Sequence, residues 1–269
     1  MNTNKRLRGR PKSFHDKGAQ NRIQSLDRAL DVLDCLTQKT GMTLTEIAES
    51  LKQSPATIYR VLSTLENRRV VEMDPIRQEW FIGAECFRLG SAFLRRAGIV
   101  ERSRPLMREL MEATGETANL GVEVSAEVMF ISQVETHANI RAFFPPGAKS
   151  PMHASGIGKA LLANAGALKI DKYTAQKVLE KFTPSTISDR DELRLELIKI
   201  KDQGYAFDDE EKSIGMRCIA APIFNIHGEA IAGISISGPT SRLPLDSIQT
   251  ISRIVMKKAE LISMDTGSQ

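Results

Sequence analysis

The chain has 269 residues, of which 41% are hydrophobic and 26% charged, and its formal net charge at pH 7 is +4. This length allows two domains, and the composition is that of an ordinary soluble globular protein. No apolar run approaches the roughly 18 residues of a membrane helix, and the N-terminus lacks the apolar segment of a secretory signal. We therefore expect a cytoplasmic protein with no membrane partner.

The cysteines and histidines give no sign of a metal site. Cys35, Cys86 and Cys218 are spread singly along the chain, and the four histidines form no ligand motif. No pair has the spacing of a zinc site or a redox pair, which fits a reducing compartment. We expect neither a metal nor a cofactor.

Positive charge is concentrated at the front of the chain. Residues 1–100 hold 17 Lys or Arg against 11 Asp or Glu, whereas residues 101–269 hold 20 against 22. This distribution indicates a polyanion partner at the front, although solvated surface charge gives the same count.

Residues 1–22 are predicted to be a basic disordered tail. The run Arg8-Gly9-Arg10-Pro11 is similar to the core of an AT-hook, whose arginines lie in a narrow A·T-rich minor groove. A plain basic tail is the alternative, and in both interpretations Arg8 and Arg10 attract phosphates.

Two short helices are predicted next. The first is predicted to begin at Ser25, a residue type that favours the N-cap position, and Gly41 is predicted to end the stretch. Thr43 and Glu46 have the spacing of a capping box at the start of the second. The apolar positions of the first helix recur at helical spacing and are expected to face the core. They are Leu26, Ala29, Leu30, Leu33 and Leu36.

A third helix is predicted from Pro55 to about Asn67, after a turn at Lys52-Gln53. Its apolar residues are expected to pack on the first two helices. They are Ile58, Val61, Leu62 and Leu65. The opposite face presents small, hydroxylated or cationic residues and no carboxylate, which suits a helix that enters the major groove of DNA. A generic three-helix bundle with a polar outer face is the alternative.

A strand, a turn and a strand are predicted at 70–74, 75–78 and 79–82. Such a hairpin after a recognition helix is a wing, and Arg77 near its tip is predicted to contact the DNA backbone or the minor groove. A hairpin that only closes the core, with Trp80 and Phe81 packed inward, is compatible with the same pattern. The residues predicted to contact DNA in this region are Thr45, Ser54, Ala56, Thr57, Tyr59, Arg60, Ser63, Thr64 and Arg77.

The remaining chain alternates helical and strand-like stretches, which predicts an α+β class with helices on an antiparallel sheet. Helices are predicted at 100–113, from 158, at 189–203 and at 244–262. Strands are predicted at 117–124, 127–135, 140–144, 218–224 and 229–237.

Two local features of this part could hold a ligand. Ser235 and Ser237 share one face of a strand, and their hydroxyls need either a polar ligand or neighbouring backbone as partners. Ser155-Gly156-Ile157-Gly158 precedes a helix, so its free N–H groups can bind an anion, although helix starts of this kind are common.

Six sequence blocks resemble the IclR family of bacterial transcription regulators. They are Ser25–Leu30, Leu44–Ala48, Thr57–Leu65, Tyr205–Glu211, Gly215–Pro222 and Ser235–Pro239. The resemblance implies a winged helix-turn-helix domain at 23–83, a linker helix at 84–98 and a GAF-like effector domain at 99–265. It also implies homodimers formed through the DNA-binding domains, often paired into homotetramers, on a near-palindromic double-stranded operator.

In the glyoxylate-sensing members, the ligand lies between a glycine turn, an Asp, a Cys and two Ser. The matching residues here are Gly156, Ile157, Asp208, Cys218, Ser235 and Ser237, with Ile157 in place of a smaller residue. The resemblance therefore implies a small oxo acid, glyoxylate or pyruvate, as effector, with Met152 and Leu162 as an apolar wall.

Two alternatives remain open at the sequence level. An aromatic acid is the effector of other members of the family. An enzyme that uses Cys218 or Ser235 as nucleophile with Asp208 nearby would lack an evident base, unless the fold brings His153 close.

Overall fold

A computed structural model describes residues 23–266, except the side chains of residues 94–97 and 266. The predicted tail contacts, Arg8 and Arg10, lie outside the described residues. The chain divides into two compact units between Arg95 and Arg96. Within 23–266, every helix is too short or too polar to cross a membrane.

The N-terminal unit contains three helices and a small antiparallel sheet, followed by a longer helix. Its elements are α1 (Gln24–Leu36), β1 (Met42–Thr43), α2 (Leu44–Ser50), α3 (Pro55–Glu66), β2 (Val71–Asp74), β3 (Glu79–Ile82) and α4 (Ala84–Ala97). The strand order is β1-β3-β2. The predicted helix-turn-helix and wing are confirmed, with β1 as an additional short strand.

Local capping fixes the positions of α2 and α3. Thr43 N donates to Glu46 Oε2 over 2.8 Å and Thr43 Oγ1 accepts from Glu46 N, so the predicted capping box forms. Ser54 Oγ accepts from Thr57 N at the start of α3. Between the two helices, Lys52 adopts a positive φ of 51°, which turns the chain sharply.

The core of this unit departs from the prediction in α1. The helix begins at Gln24 after Ile23, so Ser25 lies inside the first turn and is not the N-cap. Leu26 and Leu30 are 59% and 60% exposed, and the fully buried positions of α1 lie in its C-terminal half. The buried residues of α1 are Val32, Cys35 and Leu36.

The hairpin that follows α3 pairs Val71 with Ile82 and Asp74 with Glu79. Trp80 is buried as predicted. Phe81 is only half-buried, beside Gly41. Of the two rings considered for the core, only that of Trp80 is therefore fully inside, because successive strand residues point to opposite faces.

The C-terminal unit consists of five helices and six strands. Its helices are α5 (Ile99–Thr114), α6 (Gly156–Ala163), α7 (Ala167–Gln176), α8 (Arg190–Gln203) and α9 (Ile248–Thr266). Its strands are β4 (Thr117–Val124), β5 (Glu127–Val134), β6 (Lys149–Pro151), β7 (Ala206–Asp209), β8 (Met216–Phe224) and β9 (Ala230–Pro239). The sheet is antiparallel with the order β6-β5-β4-β9-β8-β7, and the predicted α+β class is confirmed.

Two layers of helices cover the sheet. α5 and α9 pack on each other and on one face, while α6 packs on β8 and β9 with α8 behind it. All eight residues of α6 are buried. This burial explains why α6 shows no polar face in the sequence, and it places the helix start directly against the sheet.

Two predictions for this unit need correction. Residues 140–144 do not form a strand, since the chain reaches β5 only after the turn at Pro145-Pro146-Gly147, where Lys149–Pro151 pairs with it. The helix predicted from Gly158 begins two residues earlier, at Gly156. The short elements α7 and β7 were not predicted.

Gly158→Ala is expected to lower the free energy of unfolding by about 1–3 kcal/mol. A Cβ atom at this position would lie 2.3 Å from Met152 O and 2.4 Å from Met152 Cα, and backbone atoms cannot move aside as a flexible side chain can. Urea unfolding followed by circular dichroism measures the change. Gly90→Ala is the matched control, because a Cβ there meets no atom within 4 Å. Equal stability of the two variants would contradict the prediction.

Candidate functional site

The outer face of α3 is accessible, as a DNA-reading helix requires. Ala56, Tyr59, Arg60 and Thr64 are exposed, and Tyr59 is 56% exposed. Thr57 and Ser63 are half-buried on the same helix. The helix has one acidic residue, at its last position. The polar face of α3 is therefore on the outside of the unit, as the sequence predicts.

Hydroxyl groups on this face already form hydrogen bonds within the protein, whereas the cation of Arg60 forms no ion pair within the described residues. Thr64 Oγ1 donates to Arg60 O over 2.8 Å, and Ser54 and Thr57 share a hydrogen bond of 2.8 Å between their hydroxyls. The guanidinium of Arg60, in contrast, has no carboxylate partner among residues 23–266. Arg60 is therefore the residue of this face with the most donors left for DNA.

Further cations flank α3, and sequence reasoning did not single them out. Arg28 of α1 and Arg68, just after α3, line the same groove as Tyr59 and Arg60. Thr45 on α2 and Arg77 in the hairpin turn are exposed, where they were predicted.

A small cavity of about 30 Å³ lies in the C-terminal unit, where the start of α6 meets the sheet. All six residues predicted to bind an effector line it: Gly156, Ile157, Asp208, Cys218, Ser235 and Ser237. Ser155, from the predicted glycine-rich turn, also lines it, and residues that were not predicted complete the lining: Phe130, Phe144, Ser150, Ala154 and Lys212. Met152 and Leu162 are buried in the neighbouring core but are not part of the lining, so Phe130 and Phe144 form the apolar wall instead.

Strand register explains how distant residues meet in this cavity. Asp208 of β7 pairs with Cys218 of β8, and Cys218 pairs with Ser237 of β9, which gives one row across three strands. Thr117 of β4 pairs with Ser237, and Asn119 pairs with Ser235 while its Nδ2 donates to Ser237 Oγ over 3.3 Å. Ser235 is two residues from Ser237 and therefore faces the same side of the sheet.

The start of α6 lies directly over this row. A Cβ atom at Gly156 would be 2.8 Å from Cys218 Sγ, so only glycine allows this approach. Ser155 Oγ accepts from Gly158 N, and Ser155 O accepts from Lys159 N. The N–H groups of Gly156 and Ile157 are therefore the ones at the helix start that remain for a ligand.

Ser235 has an incomplete hydrogen-bond set. Its hydroxyl is buried, and it has no nitrogen or oxygen partner within the described residues. Its polar neighbour is the Cys218 thiol. A buried hydroxyl without a partner costs about 1–3 kcal/mol, so this group is available to a ligand.

Burial perturbs the acidic groups beside the cavity. Burial raises the pKa of Asp208 to about 6, although the nearby Lys159 ammonium opposes this shift. Burial also raises the pKa of Glu211 to about 7. Lys159 lies close to both acids, fully buried, and its Nζ donates to Phe207 O over 2.7 Å and to Glu211 Oε1 over 2.5 Å.

The cavity does not have the chemistry of a nucleophilic enzyme. Desolvation raises the pKa of Cys218 to about 12, so it stays a neutral thiol at pH 7. His153, the candidate base, is hydrogen-bonded to Tyr173 Oη and Glu180 O and is not part of the lining. Within the described residues, no cluster of His, Cys, Asp or Glu has the arrangement of a metal site.

Comparison with known proteins places both units in one family. The family model of the IclR helix-turn-helix domain matches residues 25–75, and that of the bacterial transcriptional regulator IclR C-terminal domain matches residues 91–264. The chain is 51% identical to the HTH-type transcriptional regulator BhcR of Paracoccus denitrificans, over 98% of this chain and 95% of the relative. It is 36% identical to the transcriptional repressor IclR of Escherichia coli, over 97% of this chain and 96% of the relative.

A solved structure agrees with this assignment. The crystal structure of the Thermotoga maritima IclR matches with a TM-score of 0.75 at 30% sequence identity, covering 91% of this chain and 100% of that chain.

A winged helix-turn-helix joined to an α+β unit, in a chain whose relatives are named as regulators, defines a DNA-binding transcription regulator. The chain belongs to the IclR family of bacterial transcription regulators. The prediction of a regulator rather than an enzyme is therefore confirmed.

Proposed function

We propose that this regulator binds a near-palindromic operator and that glyoxylate, or a comparably small oxo acid such as pyruvate, modulates the binding. The observation that carries the proposal is the cavity at the start of α6. It brings two free backbone N–H groups, an unpartnered serine hydroxyl and a buried carboxyl group to one small volume.

Each group suits one part of such a ligand. The N–H groups of Gly156 and Ile157 and the hydroxyl of Ser235 are donors for a carboxylate. Asp208 accepts a hydrogen bond from the hydrated aldehyde of glyoxylate, or is itself protonated, and in both cases repulsion between two anions is reduced.

The apolar wall favours a small acid over an aromatic one. The rings of Phe130 and Phe144 stack with their centroids 4.7 Å apart at the edge of a cavity of about 30 Å³. An aromatic acid would have to displace this stacked pair, whereas a two- or three-carbon acid requires a smaller expansion.

The proposed DNA contacts are those of the accessible face of α3. The side chains of Tyr59 and Arg60 enter the major groove, and Arg77 at the wing tip reaches the backbone or minor groove. The basic segment with Arg8 and Arg10 adds contacts to phosphates or the minor groove.

Dimerisation through the DNA-binding unit is part of the proposal. The exposed apolar face of α1, with Leu26 and Leu30, provides a surface for a second copy. Two copies related by two-fold symmetry read two half-sites, which requires a near-palindromic operator, and pairs of dimers form a homotetramer. The proposed boundaries are 23–83 for the DNA-binding domain, 84–98 for the linker helix and 99–265 for the effector domain.

The direct test is a DNA-binding titration with the full chain and a labelled operator. Binding is expected to weaken as salt rises, and millimolar glyoxylate or pyruvate is expected to change the affinity. A change produced by an aromatic acid alone would overturn the small-acid assignment.

Ser235→Ala is expected to weaken glyoxylate binding about tenfold without lowering stability. The variant removes a donor to the ligand, and it also removes a buried hydroxyl that the free protein leaves without an oxygen or nitrogen partner. Isothermal titration calorimetry and thermal unfolding measure the two effects. Ser247→Ala, at a half-buried position outside the cavity lining, is the matched control for binding. Unchanged affinity of Ser235→Ala would argue against a ligand at this hydroxyl.

A further inference from the structure

Lys212 is the single cation among the described residues that line the cavity. It follows directly on the Tyr205–Glu211 block but belongs to none of the motifs that indicate the effector site. Its side chain is half-buried, between solvent and the cavity.

An acid that enters this cavity needs a positive charge that is not already engaged. Asp208 repels a second carboxylate, and the start of α6 offers only the partial charge of a helix terminus. The ammonium of Lys159 is held by Phe207 O and Glu211, so it neutralises the protein's own acid.

The ammonium of Lys212, in contrast, is held by weak interactions. Its Nζ lies 3.4 Å from the centroid of the Phe182 ring, and within residues 23–266 it forms no ion pair shorter than 4 Å. Partial burial lowers the pKa of Lys212, while the charge of Glu180 opposes this shift. A cation–π contact is weaker than a charged hydrogen bond to a carboxylate, so an entering acid can displace it.

Lys212 is also tied to the cavity through its backbone. The Asp208 carboxylate accepts a hydrogen bond of 2.8 Å from the N–H group of Glu211, the residue directly before Lys212. This bond holds the backbone beside Lys212 against the end of β7, so the buried acceptor and the cation are kept close together.

We infer that Lys212 supplies the positive charge that recognises the carboxylate of the effector. The inference rests on the proposed function, to which it adds the residue that makes the cavity selective for acids. Lys212 is then a ligand-binding residue, and the contact with Phe182 is its resting position in the free protein.

The test compares glyoxylate binding by the full-length wild type and by Lys212→Met, using isothermal titration calorimetry. Methionine keeps an unbranched apolar stem and removes the charge, so the dissociation constant is expected to rise about 10- to 100-fold. Lys212→Arg keeps the charge and is expected to bind within a few-fold of the wild type. The affinity of the wild type is expected to fall with added salt more steeply than that of Lys212→Met.

Two control variants separate charge from structure. Lys181→Met removes an exposed lysine of the neighbouring segment that does not line the cavity. Phe182→Leu removes the ring but keeps the cation. Both are expected to bind glyoxylate within a few-fold of the wild type.

The possible failures are distinguishable. If Lys212→Met binds glyoxylate as tightly as the wild type, this inference is overturned and the proposed function stands. A wild type that binds neither glyoxylate nor pyruvate overturns both. An equal loss in Phe182→Leu and Lys212→Met shows a packing effect and also overturns the inference.

Discussion

Arg60→Ala is expected to weaken operator binding about 10- to 100-fold, because the guanidinium of a recognition helix makes base contacts worth about 1–3 kcal/mol. Arg60 is exposed on α3 and has no carboxylate partner among the described residues, so little in the free protein competes with DNA for it. Arg60→Glu is expected to lower the affinity further, since it places a negative charge among phosphates.

The measurement is a fluorescence anisotropy titration of labelled operator at two salt concentrations. Arg253→Ala is the matched control, because it removes the same charge from an exposed position on α9 of the C-terminal unit. Circular dichroism confirms that both variants fold. If Arg60→Ala binds operator as Arg253→Ala does, α3 is not the reading helix, and the proposed DNA contacts are wrong.

Lys159→Met is expected to destabilise the C-terminal unit by about 3–5 kcal/mol at pH 8. The wild-type ammonium is fully buried with Asp208 and Glu211 around it. Burial alone would lower the pKa of Lys159, but the carboxylate of Glu211 raises it, so the lysine stays charged. Its removal leaves two buried acids without a counter-ion.

The pH dependence of the stability follows from the raised pKa values of Asp208 and Glu211. Their folded-state pKa values of about 6 and about 7 exceed the ordinary values of 3.8 and 4.5. Between these limits the folded state binds more protons than the unfolded state, so the contribution of these acids to stability is present below about pH 4 and lost by about pH 7. Without Lys159 both pKa values rise further, and the loss at high pH becomes larger.

Urea unfolding of wild type and Lys159→Met at pH 5 and pH 8 measures this difference. The destabilisation is expected to be clearly smaller at pH 5, where both acids are protonated. Lys159 lies 3.5 Å from Glu196 Oε1 as well. Lys199→Met is the matched control, because Lys199 approaches the same Glu196, at 3.8 Å, but is 67% exposed. A surface pair of this kind contributes about 0–1 kcal/mol. Equal losses for the two variants, or equal losses at both pH values, would contradict the prediction.

The DNA-binding unit could be predicted well because its signals are local. The capping box of Thr43 and Glu46 and the Ser54-Pro55 start of α3 each lie within a few residues, and both form as expected. The exposure of Leu26 and Leu30 could not be predicted, since periodicity shows which residues share a face but not what covers that face.

The cavity depends on contacts that no local pattern encodes. The period of a strand placed Ser235 and Ser237 on one face, but the row from Asp208 through Cys218 to Ser237 is set by the register of three strands. Lys159 pairs with Glu211, 52 residues away, so the sequence near Lys159 could not predict that its side chain is buried. The family resemblance, rather than the residue pattern alone, named the six residues that the fold brings together.

The position of Lys159 within α6 links the cavity to the rest of its unit. Gly156 and Ile157 line the cavity. Two residues later in the same helix, the Nζ atom of Lys159 donates hydrogen bonds to Phe207 O and to Glu211 Oε1. The backbone carbonyl of Glu211 in turn accepts a hydrogen bond from Thr186 Oγ1. If the proposed ligand shifts the start of α6, these hydrogen bonds provide a route by which the shift reaches the segment around Thr186.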